Sequence, residues 1–179
     1  MNKNFLSITL FYWNRYKRPG SAILFPHRRK LYRMTLTRAD DAEAIFRGGF
    51  SCAQSVCLAF ADDYDIDRET ALKLSCALGG GMGHTDNTCG AVTGALMVIG
   101  MKYGRTRPED KAAKEKTYEV TREFISEFLS RNHSLRCTDL LGYNLSHPRE
   151  LGLATENGAF RATCPLLVRS AAEILEEIL

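Results

Sequence analysis

Residues 89–103 read Cys-Gly-Ala-Val-Thr-Gly-Ala-Leu-Met-Val-Ile-Gly-Met-Lys-Tyr, a stretch apolar almost all the way round at helical spacing. A helix without a polar face must be buried on every side. At about 15 residues this one is too short to cross a bilayer and fits a core helix. Gly90, Gly94 and Ala95 leave little side chain on one face, so a second backbone can approach closely. Whatever else the chain does, it must wrap other elements around this segment.

The remaining punctuation is helical. Thr37-Arg38-Ala39-Asp40 resembles a capping box, with Asp in place of Glu, and opens a helix through about Phe46. Ser51 is a good N-cap for a helix from Cys52 to about Tyr64, with Val56, Cys57 and Phe60 on its stripe. Asp67 caps a third helix, with Ala71, Leu72 and Leu74 as core candidates. Gly79-Gly80-Gly81-Met82-Gly83 reads as a loop needing unusual backbone angles. Thr88 caps the apolar helix. Pro108 suits the first turn of a long helix to about Ser130, with Tyr118, Phe124, Ile125, Phe128 and Leu129 inward. Residues 137–142 form a short helical turn. A 20-residue irregular stretch follows, either an unresolved helix or a functional loop. The last helix is placed from Cys164-Pro165 to Leu179. No hairpin signal or repeat is present. The expectation is an all-α, compact single-domain bundle of about 5–6 helices around the buried glycine-containing helix at about 89–103.

Charge divides the chain. Residues 1–33 hold eight Lys or Arg and no acidic residue, whereas from Met34 onward sixteen basic residues face twenty-one acidic ones. Residues 34–179 are therefore expected to form a single helical cysteine-motif domain without a broad electrostatic footprint for nucleic acid. Residues 1–33 are a basic, aromatic N-terminal extension. It reads either as an arm touching RNA or an anionic surface, or as a disordered or mis-assigned start with Met34 as the true one; the usual behaviour of termini favours the second. No secretory signal and no membrane span are readable. Six cysteines without a signal suggest a reducing, cytoplasmic setting, where thiols are catalytic, redox-sensing or metal-binding more often than bridging.

Four of the six cysteines fall at expected helix starts: Cys52 after Ser51, Cys89 after Thr88, Cys137 before Thr138 and Cys164 before Pro165. Free N–H groups and the positive end of the helix dipole favour a thiolate there. Cys57 and Cys76 lack this help and read as core fillers. Spacings of 37, 48 and 27 residues contain no Cys-x-x-Cys, so thioredoxin-type and zinc-ribbon motifs are unsupported, and a joint site would have to be assembled by the fold. His84, five residues before Cys89, is an auxiliary candidate as base or ligand, although loop histidines are more often merely exposed. The glycine loop lacks a following Gly-Lys-Ser/Thr and is no phosphate loop.

At Cys89 the pattern Cys89-Gly90-Ala91-Val92-Thr93-Gly94 resembles the signature of the C_GCAxxG_C_C family, called redox-active for its cysteines. Gly49–Val56, Gly79–Gly83, Ile99–Gly104, Cys137–Gly142 and Cys164–Val168 resemble further segments of that family in order, over roughly 40–179. The resemblance implies a small helical protein whose signature cysteines are Cys52, Cys89, Cys137 and Cys164. It also implies a hint of association with transporters. Three readings are open. The first is a thiol-disulfide oxidoreductase using these four cysteines, with Cys89 as first choice of nucleophile, Cys52 as its partner, and an unknown redox protein or small molecule as substrate. Gly80, Gly81, Gly90, Ala91 and Gly94 would shape the site. The second makes the same four thiolates ligands of zinc or an iron–sulfur cluster. The third is a non-enzymatic partner module of a transporter system, resting on an exposed loop at 142–163. The oligomeric state is not readable.

Overall fold

The computed structural model describes residues 36–179, so the expectations placed on residues 1–33 lie outside the described residues. Among the described residues, eight right-handed α-helices follow one another: α1 (Arg38–Arg47), α2 (Cys52–Ala61), α3 (Arg68–Ser75), α4 (Gly90–Tyr103), α5 (Lys111–Asn132), α6 (Cys137–Leu141), α7 (Pro148–Glu156) and α8 (Ala159–Ile178). Among the described residues there is no strand, only an isolated antiparallel bridge between Thr88 and Arg136. The chain is all-α, with more helices than the five or six expected. No described helix is long and apolar enough to cross a membrane.

Three of the expected caps are where the sequence places them, whereas α5 starts after Asp110 and leaves Pro108 outside its first turn. Thr37 and Asp40 form a reciprocal capping box, and Ser51 forms another with Gln54. The Asp67 carboxylate accepts from the Thr70 N–H at the start of α3. Helix α4 runs through the middle, packed against α2, α5 and α8. Val92, Val98 and Ile99 of α4, Phe124 and Phe128 of α5, and Val168, Ile174 and Leu175 of α8 are fully buried. Each such side chain contributes about 1.5–3 kcal/mol through burial. The approach of α2 to α4 is nearly backbone to backbone: a Cβ on Gly94 would stand 2.7 Å from the Ala53 carbonyl oxygen and 3.1 Å from Val56 Cβ. Arg169 of α8 ties α1 down through Asp40 (2.7 Å) and Glu43 (2.6 Å).

Several expectations shift. The last helix starts at Ala159, with Gly158 as its left-handed N-cap, so Pro165 lies inside it and Cys164 is its sixth residue rather than its cap. Proline removes one backbone bond there, to the carbonyl of exposed Arg161. Inward packing of Cys164, Leu167 and Val168 along the same face offsets that loss. The stretch read as irregular, and as an exposed loop at 142–163, holds α7 and the first turn of α8. Helix α5 buries a narrow Val120–Phe124–Phe128 stripe, leaving Tyr118 and Leu129 exposed. Helix α3 buries Ala71 and Ser75 and packs Leu72 partly against the core, so Leu74 stays 61% exposed. Cys57 is buried, its thiol donating to the Ala71 carbonyl at 3.8 Å, but Cys76 is exposed and fills no core.

Candidate functional site

Three of the four singled-out cysteines sit at helix starts. Cys52 is the first residue of α2, and Cys137 the first of α6. Cys89 is the N-cap of α4, so the cap falls one residue later than the expected Thr88. Thr88 cannot cap because it faces Arg136 in the bridge, and the Cys89 N–H donates to the Leu135 carbonyl at 2.7 Å. Cys164 comes from the middle of α8.

The fold brings these four thiols, which are far apart in sequence, onto one cavity of about 190 Å³. All four are buried and unbridged. Phe46, Leu141, Phe160 and Leu167 supply apolar wall, and Ser51, Gly80 and His84 complete the lining. Cys57 and Cys76 lie elsewhere.

Two devices set the sulfurs. The first is glycine contact. A Cβ on Gly90 would lie 3.0 Å from Cys52 Cβ and 3.1 Å from the Ala53 nitrogen. The starts of α2 and α4 therefore touch where their cysteines emerge, and buried Ala91 continues the same tight first turn of α4. The second is the segment after α3. Gly80, Gly81, Met82, Gly83 and His84 have φ of +59, +67, +62, +71 and +65°, one turn of left-handed helix. Only glycine adopts such angles without cost; other residues incur roughly 1–2 kcal/mol each. A Cβ on Gly81 would lie 2.9 Å from Cys137 Cβ, and one on Gly80 would lie 2.6 Å from the His84 ring.

The turn is braced. The Gly81 carbonyl accepts from the Thr85 and Asn87 N–H groups at 3.3 and 3.1 Å. The Asn87 carbonyl in turn accepts the Cys137 N–H at 3.1 Å. Asp86 accepts from the Arg136 guanidinium at 2.6 Å and from the Thr138 hydroxyl, so both flanks of Cys137 are held to the turn. The Thr138 hydroxyl first, and Arg136 second, hold the Asp86 carboxyl below its usual range. Sequence reading missed Asp86, Asn87, Arg136 and Thr138 as braces, and Phe46, Leu141, Phe160 and Leu167 as wall. A usable signal existed for Asp86, which follows the glycine run and has φ of +57°, a conformation Asp tolerates better than most residues.

Electrostatics separate the four thiols. Burial pushes Cys89 up to about 11, although the N–H groups of Ala91 and Val92 at the α4 start pull the other way. Burial, then the charges of Cys89, Cys164 and Asp86, pushes Cys137 up to about 12. Desolvation thus outweighs the helix-start effect at both. Cys52 and Cys164 are direct partners. The neighbouring Cys164 raises Cys52 well above the ordinary thiol value, with burial second, while Cys52 lowers Cys164. The two titrate as a pair, with one charge shared and a second strongly resisted.

Among the described residues, no group of three or more His, Cys, Asp or Glu side chains is arranged to hold a metal ion. The arrangement offers four buried thiols opening on one small, mostly apolar space.

A family model described as "Putative redox-active protein (C_GCAxxG_C_C)" matches residues 50–178. This span contains the four cysteines, the left-handed turn and helices α2 to α8. No curated protein and no solved structure matches the chain.

Proposed function

The chain belongs to the C_GCAxxG_C_C family, and from that premise we propose that its four signature cysteines form a two-electron dithiol–disulfide centre acting on a small sulfur compound. One observation carries the reading. Cys52, Cys89, Cys137 and Cys164 line one buried cavity, and within it Cys52 and Cys164 most strongly shift each other's charge, Cys164 downward and Cys52 upward. A thiolate with a second thiol beside it is the minimal apparatus for exchange followed by resolution.

In the first step the Cys164 thiolate attacks a disulfide RS–SR, forming Cys164–S–SR and releasing RS⁻. Cys52 then attacks the mixed disulfide; a Cys52–Cys164 bond forms, its proton passes to the leaving thiolate, and the second RSH departs. The substrate gains two electrons and the dithiol loses two. An external low-molecular-weight thiol would restore the dithiol, as expected in a reducing compartment such as the cytoplasm. Cys89 and Cys137 supply a second pair that can take over the disulfide.

Burial argues for a small substrate. The four cysteines are 2–7% exposed, and the cavity of about 190 Å³ corresponds to roughly six waters at about 30 Å³ each. A disulfide carried on a folded protein could not reach the sulfurs. The wall holds no Lys or Arg to attract an anion.

The test uses reduced protein carrying Cys76→Ser, which removes the exposed thiol. One equivalent of hydroxyethyl disulfide, a small neutral probe, is expected to release two equivalents of mercaptoethanol and to remove two protein thiols. Bound zinc and iron are assayed on the same sample. Unchanged thiol counts, or thiols freed only when bound metal is stripped, would overturn the proposal.

A further inference from the structure

The left-handed turn at residues 80–84 is costly, and its geometry has a chemical outcome. Five successive residues adopt positive φ, and two of them, Met82 and His84, are not glycine. Such strain persists where the surroundings impose it, most often at functional sites. The turn ends by laying the His84 ring over Gly80, which has no Cβ to obstruct it, and the ring lines the thiol cavity. The next glycine, Gly81, is the surface on which Cys137 rests. One short segment therefore presents an imidazole to the cavity and seats one of its sulfurs.

His84 is the sole non-thiol titratable side chain lining that cavity among the described residues. The titratable groups facing the same space are Cys52 from α2, Cys89 from the start of α4, Cys137 from α6 and Cys164 from α8. The nearest carboxylate on its own segment, Asp86, is occupied by Arg136 and Thr138. The His84 imidazole itself makes no hydrogen bond or ion pair with any described residue, and its residue is exposed. It can therefore exchange protons with solvent on one side and with the cavity on the other.

We propose that His84 is the proton-transfer residue of the thiol centre, taking the proton of Cys137 as that sulfur attacks and returning it to the departing thiolate. The inference rests on the redox reading above and adds to it. Cys52 and Cys164 assist each other, but Cys137 has no partner to share its charge, and burial holds it protonated at neutral pH. In the step, the Cys137 S–H bond breaks toward the imidazole and a sulfur–sulfur bond forms to a small disulfide. The substrate S–S bond breaks, and the imidazolium proton passes to the leaving sulfur. Cys89, tethered beside Cys137 through the Asn87 and Leu135 carbonyls, displaces the second RSH and closes the disulfide. A base acting this way typically contributes about 10²-fold or more.

The experiment follows modification of Cys137 by methyl methanethiosulfonate, a small neutral thiol reagent, by peptide-resolved mass spectrometry from pH 5 to 9 in Cys76→Ser protein. The wild-type rate is expected to rise with pH through an inflection that depends on the imidazole. His84→Asn removes the base while keeping a residue tolerant of left-handed backbone. It should fold, lose the inflection and slow at least tenfold at pH 7. In His84→Gly, added imidazole should restore rate without changing the urea midpoint. An unchanged pH profile in His84→Asn, or no rescue in His84→Gly, would overturn the role. If disulfides still form with hydroxyethyl disulfide in either case, the redox reading stands without His84; if they form in no variant and not in wild type, that reading fails instead.

Discussion

Replacing Gly94 by alanine tests the α2–α4 contact on which the cysteine geometry depends. Gly→Ala inside a helix ordinarily stabilises by about 1 kcal/mol. At Gly94 the new methyl would stand 2.7 Å from the Ala53 carbonyl oxygen, 3.0 Å from Ala53 Cα and 3.1 Å from Val56 Cβ. Two of these three atoms are backbone of a buried helix and cannot rotate away. Overpacking costs about 1–3 kcal/mol, and the rigid neighbours place this site at the upper end, leaving a net loss of about 2 kcal/mol. Gly100 is the internal control. It lies in the same helix, and a methyl added there would meet nothing within 4 Å, so Gly100→Ala should gain about 1 kcal/mol. In urea unfolding, with a slope of about 2 kcal/mol/M, the midpoint should fall by about 1 M for the first and rise by about 0.5 M for the second. Equal shifts of the same sign, or a Gly94→Ala midpoint at or above wild type, would refute the close-approach argument.

Alkaline pH should destabilise the reduced protein. Cys89 and Cys137 have folded values near 11 and 12, above about 8.5 for a free thiol. Their stabilising effect is complete below about 8.5 and is lost as pH rises toward the folded values, so the urea midpoint should drop between pH 8 and pH 10. Asp86 gives the opposite signature. Its folded value is depressed, so its contribution is present above about 3.9 and disappears as pH falls through the folded value; Asp86→Asn should flatten that acid limb. Cys57→Ser and Cys76→Ser should leave loss of thiols to hydroxyethyl disulfide unchanged at the other four cysteines, whereas Cys52→Ser should leave Cys164 in a stable mixed disulfide detectable by intact mass.

The fold class and the caps at Thr37, Ser51 and Asp67 were legible because each depends on residues within one turn of one another. The burial of α4 along Ala91, Val92, Ala95, Val98 and Ile99 was legible for a related reason, although Leu96, Met97 and Met101 are only partly buried. The beginning of α8 was not legible. Pro165 gives a strong local stop signal, and only the packing of Cys164, Leu167 and Val168 against the core overrides it. Helix α7 was obscured in the same region by Pro148 and several glycines. The grouping of Cys52, Cys89, Cys137 and Cys164 could be suspected from helix starts for three of them, but Cys164 gains its distinct chemistry from contact with Cys52, which is 112 positions away in sequence. Cys89 and Cys137 are less acidic than their helix-start positions suggest, because desolvation is a tertiary quantity that spacing does not reveal. The glycine loop was readable as unusual backbone, but not its left-handed turn or the way it brings His84 and Cys137 to one cavity.

The most direct measurement is the disulfide map of reduced Cys76→Ser protein after one equivalent of a small disulfide, obtained by non-reducing peptide mass spectrometry. A Cys52–Cys164 peptide is expected as the dominant first product, with Cys89–Cys137 forming as oxidant is added. Four unmodified thiols, or bridges that use Cys57 in preference to the cavity cysteines, would contradict a dithiol–disulfide centre in this cavity.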